Sequence, residues 1–190
     1  MSAPHSQGGP AGPTPPGSAA GTASGRADAA PSLRWMRGHV SRLLAFGFGA
    51  GLLRPGPGTW GTVAAWLLWR LAHPWSPPDW AIGLFLLAAL VAGAWACGRA
   101  GRDLGMPDHG GMVWDEMVAF WLVLWLVPAT LPAQALAFVL FRLFDIVKPP
   151  PIRELDARLK NGPGVMCDDL LAAGYTLLAM AVLVRIGVLL

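Results

Sequence analysis

The sequence WAIGLFLLAALVAGAWAC at residues 80–97 runs for 18 positions without a charged side chain. A transmembrane helix needs about 20 apolar residues to cross the hydrocarbon core of a bilayer, so this segment is close to a complete span. Two more apolar segments follow: an uncharged run of 25 residues at 117–141 and a final stretch at 170–190 with a single charge. A shorter helix is predicted at 60–72, where Thr59 stands in a position to cap its first turn. These segments predict an all-α, membrane-embedded helical bundle with about three to four hydrophobic spans.

The composition of the whole chain agrees with a bilayer environment. Hydrophobic residues make up 54% of the 190 residues and charged residues only 13%, against about 25% charged residues in an ordinary soluble domain. A soluble domain of this length has too much surface for its volume to hide so many apolar side chains. The formal net charge of +3 is too small and scattered for a nucleic-acid groove, so no nucleic acid is expected as a partner, and it suits anionic lipid. Two cysteines exclude a disulfide scaffold and a four-cysteine zinc site.

Residues 1–32 differ from the rest of the chain. They contain no Leu, Ile, Val or aromatic residue and consist almost entirely of Ala, Pro, Gly, Ser and Thr. Such a segment has no apolar surface whose burial would offset the entropy lost on folding. We therefore expect a disordered N-terminal tail at 1–32, without the features of a signal peptide, followed by one membrane domain at 33–190.

The run at 117–141 is interrupted by Pro128 and Pro132 and has two interpretations. As one kinked span, it would place 98–116 and 142–169 on opposite faces of the membrane. As a re-entrant hairpin of two short helices, it would return both segments to the same face. Both segments carry Arg or Lys residues, which are enriched on the cytoplasmic side of membranes. This charge pattern favours the hairpin.

The link at 73–79 is short, rich in proline and without Lys or Arg. It predicts that the helices at 60–72 and 80–97 are antiparallel neighbours, joined on the face opposite the cytoplasm. The basic segments at 98–116 and 142–169 then lie in the cytoplasm, in a multi-pass protein.

Acidic residues concentrate beside the apolar runs. Eight of the eleven carboxylates lie between residues 108 and 169. Four of them directly precede an apolar run, Asp115 with Glu116 and Asp168 with Asp169, and ionisable groups at the ends of membrane helices are often functional. Each pair also has a simpler interpretation, because an acidic side chain in the first turn of a helix stabilises that helix.

Basic residues accompany these acids. Arg142, Asp145 and Lys148 follow one another at intervals of three residues, which places them roughly on one side of a helix. Carboxylate oxygens from several segments suit magnesium, and Arg and Lys bind phosphate oxygens. The pattern therefore favours a site for a metal and a phosphate, with a purely structural ion pair between Arg142 and Asp145 as the alternative.

Two other features have open interpretations. The glycines at 47–51 and 56–61 would cradle a phosphate through backbone N–H groups, or they would let helices pack closely in a membrane. His109 is either a participant in the chemistry or an ordinary packing residue.

Motifs of several other phosphate-transfer enzymes are missing. Cys97 and Cys167 lack the Cys-x5-Arg spacing of thiol phosphatases, and no Asp-x-Asp-x-Thr sequence of aspartyl-phosphate enzymes occurs. The Pro-Ser-Gly-His and Asp-Gly-Ala-Arg motifs of other lipid enzymes are missing as well. Once these reaction classes are excluded, the one that remains is metal-assisted attack of water on a phosphate.

Four sequence blocks occur in order over roughly residues 43–175. They are GFGAG at 47–51 with PGTWG at 57–61, DLGMPDHGGMVWDE at 103–116, FRLFDIVKPPPIR at 141–153, and GPGVMCDDLLAAG at 162–174. Together they resemble the phosphatidylglycerophosphatase A family, and the N-terminal tail is an addition that the family pattern does not need.

The resemblance implies a magnesium-dependent lipid phosphatase of bacterial inner membranes with an all-helical fold. Such an enzyme hydrolyses phosphatidylglycerophosphate to phosphatidylglycerol and inorganic phosphate, the last step of phosphatidylglycerol synthesis. Its substrate and the surrounding membrane lipids are the expected partners, and the sequence indicates no protein partner or oligomeric state.

This expectation assigns a role to each candidate site residue. The ligands of one or two Mg2+ ions would be Asp115, Glu116, Asp145, Asp168 and Asp169. The phosphate would be held by Lys148, Arg142 and Arg153, with a hydrogen bond from Thr59. His109, or Asp108 beside it, would protonate the departing glycerol oxygen. Apolar helices would seat the acyl chains while the headgroup meets the site at the cytoplasmic surface.

Two alternatives stay open at the level of sequence. One is a phosphatase for another lipid phosphate, such as phosphatidic acid. The other is a non-enzymatic membrane protein, such as a divalent-cation transporter or an assembly subunit, because intramembrane acids also line ion paths. The basic residues beside the acids count against a cation path.

Overall fold

The computed structural model describes residues 31–72, 75, 77–154 and 162–187, and these residues form helices joined by short connections, with no strand among them. The helices are α1 (Leu33–Met36), α2 (Val40–Ala45), a 3-10 segment (Gly47–Leu52), α3 (Pro57–Ala72), α4 (Asp79–Leu104), α5 (Trp114–Leu126), α6 (Leu131–Val147) and α7 (Gly162–Arg185). The all-α prediction is confirmed for this part of the chain. The predicted disordered tail lies outside the described residues, apart from Pro31 and Ser32.

Within the described ranges, two helices are long and apolar enough to cross a membrane, Asp79–Leu104 and Met166–Arg185. At a rise of about 1.5 Å per residue, the 26 residues of α4 extend beyond the roughly 30 Å of a bilayer core. α4 ends where Gly105 adopts a left-handed conformation with φ of 69°, which glycine reaches without steric cost. Large apolar side chains of α4, including Leu84, Leu87 and Val91, are exposed on its outer face. These features indicate membrane association, while the number of spans stays a prediction.

The run at 117–141 forms a hairpin. α5 ends at Leu126, and α6 starts after Thr130, whose hydroxyl accepts a hydrogen bond from the backbone N–H of Ala133. The two helices are antiparallel, because the ring of Phe120 contacts the rings of both Phe138 and Phe141. With 13 residues, α5 is only about 20 Å long, so it is too short to cross a bilayer by itself.

α5 is the central helix of the bundle. It packs against α3, α4, α6 and α7, and the side chains of Met117, Phe120 and Val123 are completely buried. A helix that is apolar on all sides needs such surroundings, because each of its faces must be covered.

Two expectations about α3 are wrong. The helix begins at Pro57, so Thr59 lies inside its first turn and does not cap it; proline is favoured at this first position because its missing N–H has no partner there anyway. The second error is direct packing. α3 and α4 are antiparallel as predicted, because the start of α5 lies beside Gly58 of α3 and Ala89 of α4, whereas its later turns bond to Ala65 and Asp79. Both helices nevertheless rest on α5 and leave an apolar cleft between them. Trp114 and Trp121 of α5 line this cleft.

Candidate active site

The first turn of α5 places two acidic side chains at one end of the bundle. Asp115 is buried, and its Oδ1 accepts a hydrogen bond from the backbone N–H of Glu116 at 2.9 Å. The carboxylate of Glu116 lies against Gly58 of α3, so closely that a Cβ atom at that position would overlap it. A residue without a side chain is therefore required at position 58 if Glu116 is to keep this position.

Arg142 connects α6 to this turn. Its Nη1 lies 3.1 Å from Oε2 of Glu116 and 2.8 Å from Oδ2 of Asp145. All three side chains are largely buried, with exposed fractions of 13–15%. The same nitrogen donates to the hydroxyl of Thr62 on α3 at 3.5 Å. Arg142 is thus held between two carboxylates, whereas the sequence interpretation paired it with Asp145 alone.

Lys148 and α7 complete the cluster. Lys148 ends α6 in a left-handed conformation with φ of 46°, and its Nζ lies 2.6 Å from Oδ2 of Asp168. Asp168 and Asp169 are both buried on α7. Carboxylates that are far apart in the sequence therefore meet at one end of the bundle.

The charges in this cluster do not cancel. Among the described residues, five carboxylates from α5, α6 and α7 stand beside the two basic side chains of Arg142 and Lys148, an excess of three formal negative charges within this set. Asp115 and Asp169 are close enough to the other carboxylates to be repelled by them electrostatically. Buried like charges are costly unless a cation compensates for them.

This donor set fits a hard divalent cation. Magnesium prefers carboxylate oxygens and water, and the excess negative charge would be neutralised by it. Across the described ranges, no three Asp, Glu, His or Cys side chains are already arranged around one point as metal ligands. Arg142 and Lys148 instead hold three of the carboxylates, so metal binding requires side-chain rearrangement within the cluster.

The two predicted proton donors lie in the loop before α5. His109 is half-buried; its Nδ1 accepts a hydrogen bond from the backbone N–H of Gly111 at 3.0 Å, and its ring contacts Phe46. Burial lowers the pKa of His109, and the positive charge of Arg54 lowers it further. Asp108 is exposed. The contacts described for His109 are thus with the loop and α2, and none of them is with a carboxylate of the cluster.

Two predicted phosphate ligands lie at the edge of the cluster. Thr59 is exposed on α3, one position from the Gly58 that contacts Glu116. Arg153 is exposed and donates to the backbone carbonyl of Val147, at the end of α6. Neither side chain is in a described contact with the acidic cluster.

The glycine-rich segments pack against the start of α5. A Cβ atom at Gly47 or Gly61 would lie under 3.0 Å from the side chain of Val113, and one at Gly51 would meet the backbone of Gly111. Close packing thus explains these glycines. Thr62, fully buried and hydrogen-bonded to Arg142, is a site residue that the sequence interpretation missed. The one indication of Thr62 in the sequence is its position about one helical turn after Gly58, which places both residues on the same face of α3.

A comparison with protein families identifies the chain. The family model described as Phosphatidylglycerophosphatase A matches residues 43–184, which is most of the chain and contains every member of the cluster. The chain belongs to the phosphatidylglycerophosphatase A family. The resemblance carried by the four sequence blocks is confirmed, and the chain is a phosphatase enzyme.

Individual relatives agree with this assignment. The phosphatidylglycerophosphatase A of Haemophilus influenzae is 42% identical over 142 residues, covering 73% of this chain and 85% of that protein. The Escherichia coli K12 protein of the same name is 38% identical over 133 residues, covering 68% and 75%. A Bacteroides thetaiotaomicron protein, provisionally named phosphatidylinositol-3-phosphatase, is 36% identical over 146 residues, covering 74% and 91%. No solved structure matches the chain.

Proposed function

We propose that this chain hydrolyses phosphatidylglycerophosphate to phosphatidylglycerol and inorganic phosphate, the last step of phosphatidylglycerol synthesis. The observation that carries the proposal is the convergence of Asp115, Glu116 and Asp169 with Arg142 and Lys148 at one end of an apolar bundle. A lipid phosphate has the matching form, because its charged headgroup and its apolar chains need both environments at once. The names of the Haemophilus influenzae and Escherichia coli relatives support this headgroup.

The five carboxylates would hold one or two magnesium ions. A bound magnesium ion would supply a water of lowered pKa and neutralise the phosphate. The carboxylates Asp115, Asp168 and Asp169 are buried, so they would bind the ion away from bulk water, where electrostatic interactions are stronger. Glu116 and Asp145 would release their ion pairs with Arg142 and become available as ligands of the ion.

Arg142 and Lys148 would then bind the phosphate oxygens. Each already lies within 3.1 Å of a carboxylate, so each is positioned at the cluster before substrate arrives. As water oxygen bonds to phosphorus and the bond from phosphorus to the glycerol oxygen breaks, these cations would stabilise the charge that grows on the phosphate oxygens. Arg153 and Thr59, at the edge of the cluster, would add contacts to the headgroup.

The departing glycerol oxygen needs a proton, which we assign to His109 or Asp108. Because Nδ1 of His109 accepts a hydrogen bond, its neutral imidazole carries the proton on Nε2. Burial lowers the pKa of His109, which makes its imidazolium form a stronger acid. The imidazolium would donate the proton to the glycerol oxygen and return to the neutral ring. Asp108 is exposed and is the alternative donor.

We place the enzyme in the bacterial inner membrane, as a multi-pass protein with its site on the cytoplasmic side. The long apolar helices α4 and α7 support membrane insertion. The hairpin of α5 and α6 brings the charged ends of both helices to the same side, where the basic segments of the sequence also lie.

A second candidate function is hydrolysis of another lipid phosphate. The Bacteroides thetaiotaomicron relative, provisionally named phosphatidylinositol-3-phosphatase, favours it, because a similar sequence carries the name of a different headgroup. Both functions use the same cluster, and they differ only in the part of the lipid beyond the phosphate.

The test is phosphate release in detergent micelles from phosphatidylglycerophosphate, phosphatidic acid and phosphatidylinositol 3-phosphate, with magnesium and then with EDTA. Magnesium-dependent release from the first lipid alone supports the main proposal. Release from another lipid at equal or greater kcat/KM supports the second function. Release that persists in EDTA rejects the metal mechanism, and no release from any of the three rejects both substrate assignments.

A further inference from the structure

An apolar cleft separates α3 from α4. Its volume is about 490 Å³, which lies within the range of roughly 300–1,000 Å³ found for small-molecule sites. Both walls and the floor are made of apolar and aromatic side chains, and the main ones are Leu68, Trp69, Ala81, Phe85, Trp114 and Trp121. The cleft therefore suits an apolar ligand.

Three tryptophans of α5 form hydrogen bonds to α3 and α4, and two of them, Trp114 and Trp121, line this cleft. Trp114 donates from Nε1 to the carbonyl of Ala89 on α4, and Trp121 donates to the carbonyl of Ala65 on α3, both at 2.9 Å. Trp125 donates to Oδ1 of Asp79, at the start of α4, at 3.0 Å. The indoles, at intervals of seven and four residues, share one side of α5 and are fastened to both walls. Because their N–H groups are already bonded, the rings offer carbon surface to the cleft.

One end of the cleft lies next to the first turn of α5, which carries Asp115 and Glu116. Trp114 lines it and directly precedes Asp115 in the first turn of α5. Phe48 lies at the same end, with its ring in edge contact with that of Trp114 at 5.8 Å. Farther along, a second cavity of about 210 Å³ shares Trp69 and Ile82 with the cleft and reaches Val127 at the hairpin turn. The path from Trp114 to Val127 is about 20 Å along α5.

The cleft is open along its outer side. Phe48, Leu68 and Phe85 line it and are exposed, with fractions of 55%, 43% and 50%. A lipid chain can enter sideways from the bilayer through such an opening. A helix, with a diameter of about 10 Å including its side chains, would need a wider groove than a cavity of this volume provides.

We propose that this cleft binds one acyl chain of the lipid whose phosphate is hydrolysed at the cluster. The inference rests on the proposed function and adds a location: the headgroup lies at the first turn of α5, and the chain follows Trp114, Trp121 and Trp125 toward the hairpin turn. Chain binding at this position makes the enzyme selective for long-chain lipids over short-chain or deacylated phosphates that carry the same headgroup.

The first test narrows the cleft. Ala81→Phe places a ring between its walls, and Ala135→Phe is the matched control on the exposed face of α6. Both variants and the unchanged enzyme are assayed on long-chain phosphatidylglycerophosphate, on its dihexanoyl form and on the deacylated headgroup. We expect Ala81→Phe to raise KM for the long-chain lipid about tenfold, because the acyl chain would lose the burial of roughly two methylene groups. The kcat and the activity on the short-chain substrates should not change. Equal behaviour of the two variants on every substrate overturns the proposal.

The second test does not depend on turnover. Phosphatidylglycerol with a diazirine near the end of one acyl chain is photo-crosslinked to the enzyme in nanodiscs, and the labelled peptides are mapped. Labelling of the segments around Trp69, Ile82 and Trp121, reduced by unlabelled lipid and by Ala81→Phe, supports the proposal. If labelling is spread over the outer face of α4 and Ala81→Phe does not reduce it, the probe reports only the surrounding bilayer lipid, and the proposal is overturned. If the unchanged enzyme releases no phosphate from any lipid, the proposed function fails, and this experiment still decides whether the cleft holds a chain.

Discussion

The first turn of α5 and its later turns differ in what their side chains contact. Asp115 and Glu116 meet charged groups from α6 and α7, whereas Trp121 and Trp125 bond to α3 and α4 and line apolar cavities. One helix of 13 residues thus carries both a charged half and an apolar half of the proposed lipid site. A central helix can do this because its surroundings, and not its own hydropathy, decide what each turn contacts.

The largest effect is expected from neutralising the charged half. Asp169→Asn should lower kcat by about 10³-fold or more, because it removes a buried carboxylate that we propose as a metal ligand. Its stability should be unchanged or higher, since the other four carboxylates no longer repel it. Phosphate release and thermal unfolding in detergent check both statements.

The control for this variant is Asp79→Asn at the start of α4, beside the end of α5 that lies away from the cluster. Its side chain accepts a hydrogen bond from Trp125, and Asn can still accept it. This variant should keep normal turnover. If Asp169→Asn also fails to insert into membranes, the residue is needed for folding and the comparison between the two halves loses its main support.

Arg142→Gln should lower kcat/KM by about 10²- to 10³-fold, because the cation that stabilises the phosphate is removed. It also leaves Glu116 and Asp145 without their shared partner, a loss of about 3–5 kcal/mol in unfolding free energy for a buried ion pair. Added magnesium should restore part of that stability by binding to the freed carboxylates. Denaturation with and without magnesium measures this, and an unchanged stability in both conditions contradicts the predicted metal site.

Gly58→Ala tests the space beside Glu116. The added methyl group overlaps the carboxylate and forces it to move, and a displacement of about 1 Å in an active site costs up to roughly 10²-fold in rate. We expect a loss of about 10- to 10²-fold in kcat. Gly174→Ala on α7 is the matched control, because a Cβ atom there has open space, and it should keep full activity. Equal activity of both variants would show that Glu116 has no required position.

The smallest effect belongs to the apolar half. Trp121→Phe keeps a ring in the cleft but removes the hydrogen bond to the carbonyl of Ala65, which contributes about 1 kcal/mol. We expect a slightly lower unfolding temperature and a two- to threefold loss of preference for long-chain over dihexanoyl substrate, a change of about 0.4–0.7 kcal/mol. Trp80→Phe, at the exposed start of α4, should change neither quantity. A loss of activity on both substrates would place Trp121 in the charged half instead.

The sequence interpretation was most successful where the signal is local. The apolar runs correctly predicted α-helices, and the two prolines indicated the hairpin turn between α5 and α6. The charged residues beside those runs are the ones that form the cluster: Asp115, Glu116, Arg142, Asp145, Lys148, Asp168 and Asp169. Each of these signals depends on hydropathy or on spacing within one helix.

The errors concern neighbours in space. The direct packing of α3 on α4 did not occur, because the short link between them constrains only their ends. Both helices are instead hydrogen-bonded to tryptophans of α5, and a cleft lined by Trp114 and Trp121 separates them. Thr62 was missed because its partner Arg142 lies 80 positions away in the sequence. The roles of His109, Asp108, Thr59 and Arg153 stay predictions, since their described contacts are outside the cluster.

The amino-acid sequence by itself determined that the described part of the chain is helical, that its long apolar segments suit a bilayer, and which charged residues flank those segments. These properties follow from the composition and spacing of each segment. Only the tertiary structure decided that Arg142 lies between Glu116 and Asp145, that Lys148 pairs with Asp168, and that a cleft runs from Trp114 beside them. Such contacts depend on how large side chains from distant segments fill the same space, which no single segment specifies.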